Sequence, residues 1–96
     1  MPKIVYTEQA RADIKEIWFY IAEDSFQAAD RFFAQIHEKC EALSLSPEIG
    51  RERPELAKSI RSFPLGNYLI FYHIEKKTTV IDRVLSGYRN LPDFFL

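Results

Sequence analysis

The stretch Tyr68-Leu69-Ile70-Phe71-Tyr72-His73-Ile74 constrains this chain most, because its side chains are apolar at odd and even positions alike. A strand of that kind must be covered on both faces, which makes it the centre of a sheet. The flanking stretches Ser59 to Leu65 and Thr79 to Ser86 also read as strands, set off by Gly66-Asn67 and by Glu75-Lys76-Lys77. Connections this short predict a three-stranded antiparallel meander. One face then needs a layer of helices. The other needs a partner or the chain's own end, where Leu91, Phe94, Phe95 and Leu96 place large apolar groups.

The helices are legible upstream. Lys3 to Tyr6 is a short β-prone segment ahead of Thr7, a good helix N-cap. Ala10, Ile14, Ile17, Trp18 and Ile21 then recur at three- and four-residue steps, an amphipathic stripe. Asp24 with Gln27 resembles a capping box, and Ala29, Phe32, Phe33, Ile36, Cys40 and Leu43 form a second stripe. The short break over residues 23–25 folds the two helices into an antiparallel hairpin. Pro47, Gly50 and Pro54 mark the following stretch SPEIGRERPEL as a loop. The expected class is α+β: an N-terminal strand, an antiparallel helical hairpin and the meander, in one domain over residues 1–96.

The chain has 96 residues and a formal charge of -1, a balance that argues against a general nucleic-acid binder and against sequence-specific recognition. The distribution is uneven: residues 1–50 carry five Lys/Arg against nine Asp/Glu, and residues 51–96 carry eight against five. The second half can therefore face an anionic partner. The longest apolar run, Tyr68 to Tyr72, falls well short of a membrane span, and the start has no apolar signal segment. No membrane association and a cytoplasmic location are expected. The single Cys40 excludes an internal disulfide and a cysteine-rich zinc module.

Few groups suggest chemistry. His37 and Cys40 share a helix face but lack further ligands, and Cys40 lies on the apolar stripe, so no metal or other cofactor is expected. His73 alternates along the central strand with no recognisable orienting partner. The acid pairs Asp13/Glu16 and Glu52/Glu55 read as solvated surface, and no glycine-rich phosphate loop is present. Arg51, Arg53, Lys58, Arg61, Arg83 and Arg89 remain as candidates for phosphate or carboxylate contact. Arg61 and Arg83 lie inside strands, where a charge marks a solvated face or a buried pair. Tyr88-Arg89 follows Gly87 at a sheet end.

Taken together, GRERPEL (50–56), RSFPLGNYLIFYHIE (61–75), RVLSGYRNLPDFF (83–95) and the helical pattern A-x-x-D-I-x-x-I-W-x-Y-I-A (10–22) resemble the ParE toxins of bacterial type II toxin-antitoxin systems, within the RelE/ParE superfamily. The resemblance implies the same strand, hairpin and sheet. It further implies a toxin that inhibits DNA gyrase by binding and is neutralised by a ParD-like antitoxin in a hetero-oligomer. RelE-like members of the superfamily are instead ribosome-dependent messenger ribonucleases. Where they carry Arg in the pattern G-x-Y-R-L-x-Y, this chain has Leu69 within Gly66 to Tyr72, and Phe94-Phe95 stands where a C-terminal Tyr or His acts as acid or base. Those departures favour a poison that binds, not an enzyme. A nuclease, and a degenerate homologue that binds antitoxin without toxicity, are the alternatives.

On this reading the gyrase-facing candidates are Arg83, Tyr88, Arg89, Phe94 and Phe95. The antitoxin-facing candidates are Trp18, Tyr20, Phe26, Phe33, Tyr72 and Arg61. The large aromatic content, eight Phe, five Tyr and one Trp, supports a partner, because so short a chain cannot bury them all.

Overall fold

A computed structural model describes residues 3–87 and Phe95. Strand β1 (Lys3–Tyr6) leads into α1 (Glu8–Ala22), and α2 (Phe26–Leu45) follows after a three-residue break. A 3-10 turn over Pro47–Ile49 precedes the two-residue strand β2 (Arg51–Glu52), and β3 (Arg61–Leu65), β4 (Tyr68–Glu75) and β5 (Thr78–Ser86) complete the sheet.

The predicted meander is present, with β3 and β5 antiparallel to β4 on either side. It is extended at both edges to give the order β1-β5-β4-β3-β2. Strand β1 joins in parallel beside β5, Lys3 pairing with Thr78 and Tyr6 with Ile81, so the sheet is mixed. The stretch expected to be only a loop supplies β2, antiparallel to β3. Strand β3 starts at Arg61 and not at Ser59, whose φ of 67° lies in the left-handed region outside strand geometry.

Both helix starts are capped. Thr7 Oγ1 accepts from the Ala10 amide at 3.0 Å, and Ser25 Oγ accepts from the Ala28 amide at 3.1 Å. Ser25, one residue beyond the expected Asp24, is thus the second cap. The hairpin buries Ala10, Ile14, Phe32, Ile36, Cys40 and Leu43 against Ile70, Tyr72, Ile81 and Val84 of the sheet. Phe71 and Leu85 occupy the opposite face with Ile60, where Leu56, Ala57, Leu69 and Phe95 pack. The central strand is therefore covered on both sides, and the rings of Phe95 and Phe71 lie 4.9 Å apart. Among the described residues no helix is long and apolar enough to cross a membrane.

Candidate partner-binding surface

The outer side of the helical hairpin carries more aromatic surface than a finished exterior requires. Phe19 is 56% exposed, Phe26 68% and Phe33 57%, while Tyr20, 69% exposed, lies on another flank of α1 near Asp13, Tyr68 and Arg83. Trp18 organises part of this surface: its ring meets Phe19 edge-on at 5.3 Å and Phe26 at 5.8 Å. Its Nε1 donates to Asp30 Oδ1 at 3.1 Å, tying α1 to α2. Beside it runs a groove of about 530 Å³ floored by Tyr6, Ile14, Trp18, Phe33 and Ile36. Arg11 and Lys15, one helical turn apart, also line it. An apolar floor beside paired cations suits an amphipathic segment with acidic flanks.

The groove's inner end is built on burial. Tyr6 lies beside Cys40, and burial raises the phenol's pKa and pushes the Cys40 thiol up to about 11. Both stay protonated and neutral at physiological pH. Cys40 is fully buried, a small core group as its place on the stripe predicts. His37 is held at the surface by Glu41, 3.3 Å away.

Tyr72 has no place on such a surface. It is completely buried, its hydroxyl donating to the Pro47 carbonyl at 2.6 Å and accepting from the Gly50 amide at 2.9 Å. Its expected role as an antitoxin contact is corrected: it locks the loop after α2 onto the sheet. Arg61 serves the same loop, donating to the carbonyls of Gly50 at 2.7 Å and Glu48 at 3.3 Å while remaining partly exposed.

Asp13 is also corrected, from solvated surface to the centre of a tie between α1 and β5. Arg83 donates through Nε and Nη2 to its two oxygens, both at 2.8 Å, and the Val84 amide adds a third bond at 3.0 Å. Strand β1 stops opposite Ile81, so the carboxylate covers a stretch of β5 edge that β1 leaves unpaired. Asp13 raises the pKa of the Arg83 guanidinium further.

His73 has the orienting partners that the sequence did not reveal. Its Nδ1 lies 2.6 Å from Asp82 Oδ2 and its Nε2 3.2 Å from Glu75 Oε2. Asp82 is the extra residue of a bulge, since Tyr72 pairs with Ile81 and Phe71 with Arg83. Burial works against the imidazolium, yet the two carboxylates raise its pKa overall; burial also raises that of Asp82.

The structure thus gathers Trp18, Phe26 and Phe33 on the helical hairpin, with Tyr20 exposed on α1, and removes Tyr72. Phe95 lies on the opposite face of the sheet. Tyr88, Arg89 and Phe94 lie outside the described residues. Phe19, Arg11 and Lys15 were not among the expected contacts, although Arg11 and Lys15 fall between the apolar positions of the first helix. Phe19 was detectable, being a large apolar residue off the stripe of its own helix. Among the described residues, no group of three His, Cys, Asp or Glu side chains could hold a metal ion.

Comparison with known proteins agrees with this architecture. Residues 4–91 match the family model described as ParE toxin of type II toxin-antitoxin system, parDE. Toxin ParE3 of Caulobacter vibrioides is 25% identical over 92 residues, covering 95% of this chain and 92% of the relative. Among solved structures, a chain of the chromosomal ParDE TA system from P. aeruginosa superposes with a TM-score of 0.75 at 21% identity, covering 90% of this chain and 96% of the other.

Proposed function

Since this chain belongs to the ParE toxins of type II toxin-antitoxin systems, we propose that a ParD-like antitoxin neutralises it by covering the helical hairpin, and that the free toxin inhibits DNA gyrase by adhesion without catalysis. The observation that carries the first part is the groove between α1 and α2, with Trp18 and Phe33 in its floor and exposed aromatic rings beside it. An amphipathic antitoxin helix would insert apolar side chains there and set carboxylates toward Arg11 and Lys15. Trp18, Tyr20, Phe26 and Phe33 are the proposed contacts, with Phe19 added.

Adhesion is supported by how the polar groups are committed. Leu69 occupies the strand position where RelE-like nucleases carry a cation. The His73 imidazole is bracketed by two carboxylates, Arg61 is spent on loop carbonyls, and Arg53 donates to Glu55 and Ser62. Tyr88, Arg89, Phe94 and Phe95, at or beyond the end of β5 in sequence, are proposed to meet the target. Arg83 is proposed to contribute by fixing β5 to α1.

Phe33→Asp tests the antitoxin surface, because the residue is exposed and its replacement leaves the buried core untouched. Affinity for a co-expressed antitoxin should fall about 30-fold or more, the loss typical of an interface anchor, with the thermal midpoint unchanged. Undiminished affinity and neutralisation would contradict the placement.

A further inference from the structure

The two hairpins of the sheet solve the same geometric problem with different residues. Leu65 pairs with Tyr68 and Glu75 with Thr78, so each turn has two central residues. Two-residue hairpin turns require left-handed backbone at one or both of those positions, and glycine or asparagine normally supplies it. The β3–β4 turn follows this rule, with Gly66 at φ 60°. The β4–β5 turn instead holds Lys76 at φ 48° and Lys77 at φ 67°. Two consecutive lysines are kept in a conformation that L side chains disfavour, at the exposed tip of the longest hairpin.

A third lysine joins them. Lys3 is exposed on β1 and pairs with Thr78, the residue after Lys77, so the parallel register of the sheet brings the three to one end. None of the three makes an ion pair among the described residues. The nearest acid in sequence, Glu75, faces His73 Nε2 at 3.2 Å. The result is a local positive tip on a chain whose formal charge is -1.

We infer that Lys3, Lys76 and Lys77 form a phosphate-gripping tip that contacts the backbone of duplex nucleic acid without reading its sequence. Ammonium groups on flexible stems respond to charge density more than to shape, and a duplex backbone is the densest array of anions such a tip can meet. Retaining lysine where asparagine and glycine would relieve the backbone is explained if the charges are used. This contact does not depend on the identity of the toxin's target. In the gyrase reading it would fall on DNA held by the enzyme.

The test exploits the turn itself. Lys76→Asn with Lys77→Gly installs the preferred turn residues while removing two charges, so weakened binding cannot be ascribed to unfolding. The antitoxin-free chain is titrated against a fluorescein-labelled 20-base-pair duplex between 50 and 200 mM NaCl. Each phosphate contact contributes about 0.9 to the slope of log affinity against log salt, so three lysines account for about 2.7 and the variant loses about 1.8. The double variant should also melt several degrees higher, whereas Lys76→Arg with Lys77→Arg should keep the slope of the parent. A variant that melts higher but binds the duplex with unchanged affinity and slope would show that the lysines serve solubility alone and overturn the inference. Loss of gyrase inhibition in the parent chain, with the duplex slope intact, would count against the target and not against the tip.

Discussion

Replacing Asp13 by Ala should be far more damaging than its position among oppositely charged neighbours in the sequence suggests. The change removes three hydrogen bonds at 2.8, 2.8 and 3.0 Å from Arg83 and the Val84 amide. The two side chains are only 11% and 15% exposed, so water can do little to replace the carboxylate. Breaking one side of a buried pair costs about 3–5 kcal/mol, and the residual exposure puts this case near 3. With an m-value of about 1.5 kcal/mol/M, the urea midpoint should fall by about 2 M. Arg83→Met in the Asp13→Ala background should recover part of the loss, because no guanidinium is then left in the tie, giving a coupling of about 1.5 kcal/mol or more across the cycle. A single-variant cost below about 1 kcal/mol, with additive effects, would refute the view that this pair joins α1 to β5. The cycle also separates two roles for Arg83: a stable double variant that still inhibits gyrase places the residue in the scaffold.

Gly50→Ala should destabilise strongly, because the new Cβ would sit 2.1 Å from the Tyr72 hydroxyl. Displacing that hydroxyl breaks its bonds to Gly50 and Pro47 and should cost about 3 kcal/mol; thermal unfolding should show it, and Tyr72→Phe in the same chain should make the two effects less than additive. His73 predicts a pH dependence of definite sign. Its folded pKa is raised, so the folded state holds the proton more tightly, and the stabilisation is full below the unfolded value of about 6.5. It is lost as pH rises through the folded pKa. Urea midpoints at pH 6 and pH 8.5 should therefore fall more for the parent than for His73→Gln, and parallel changes would contradict the assignment.

The helices and the meander were legible because both rest on local periodicity. The stripe Ala10, Ile14, Ile17, Trp18, Ile21 and the two-sided apolar run at Tyr68–Ile74 leave few alternatives. What escaped is long-range or very short. Strand β1 was legible as a strand over Lys3–Tyr6 but its parallel partner at Thr78–Ile81 was not, and β2 has two residues, too few for any alternation to show. Asp24 and Ser25 are adjacent and both competent caps, so only the backbone decides between them. The same limit applies to the candidate surface. Alternation showed that Tyr72 faces one side of β4 but not that its hydroxyl meets a loop more than twenty residues upstream. Asp13 and Arg83 are 70 positions apart, and no local spacing links them. The bulge that brings Asp82 to His73 has no signature in the residues themselves.

The most direct measurement of the toxin's action uses purified gyrase, supercoiled plasmid and the antitoxin-free chain, with the products resolved after denaturation and proteolysis. Inhibition by adhesion predicts loss of supercoiling and accumulation of cleaved plasmid, both reversed by the antitoxin. Undisturbed gyrase, together with codon-spaced cuts in ribosome-bound transcripts, would contradict it.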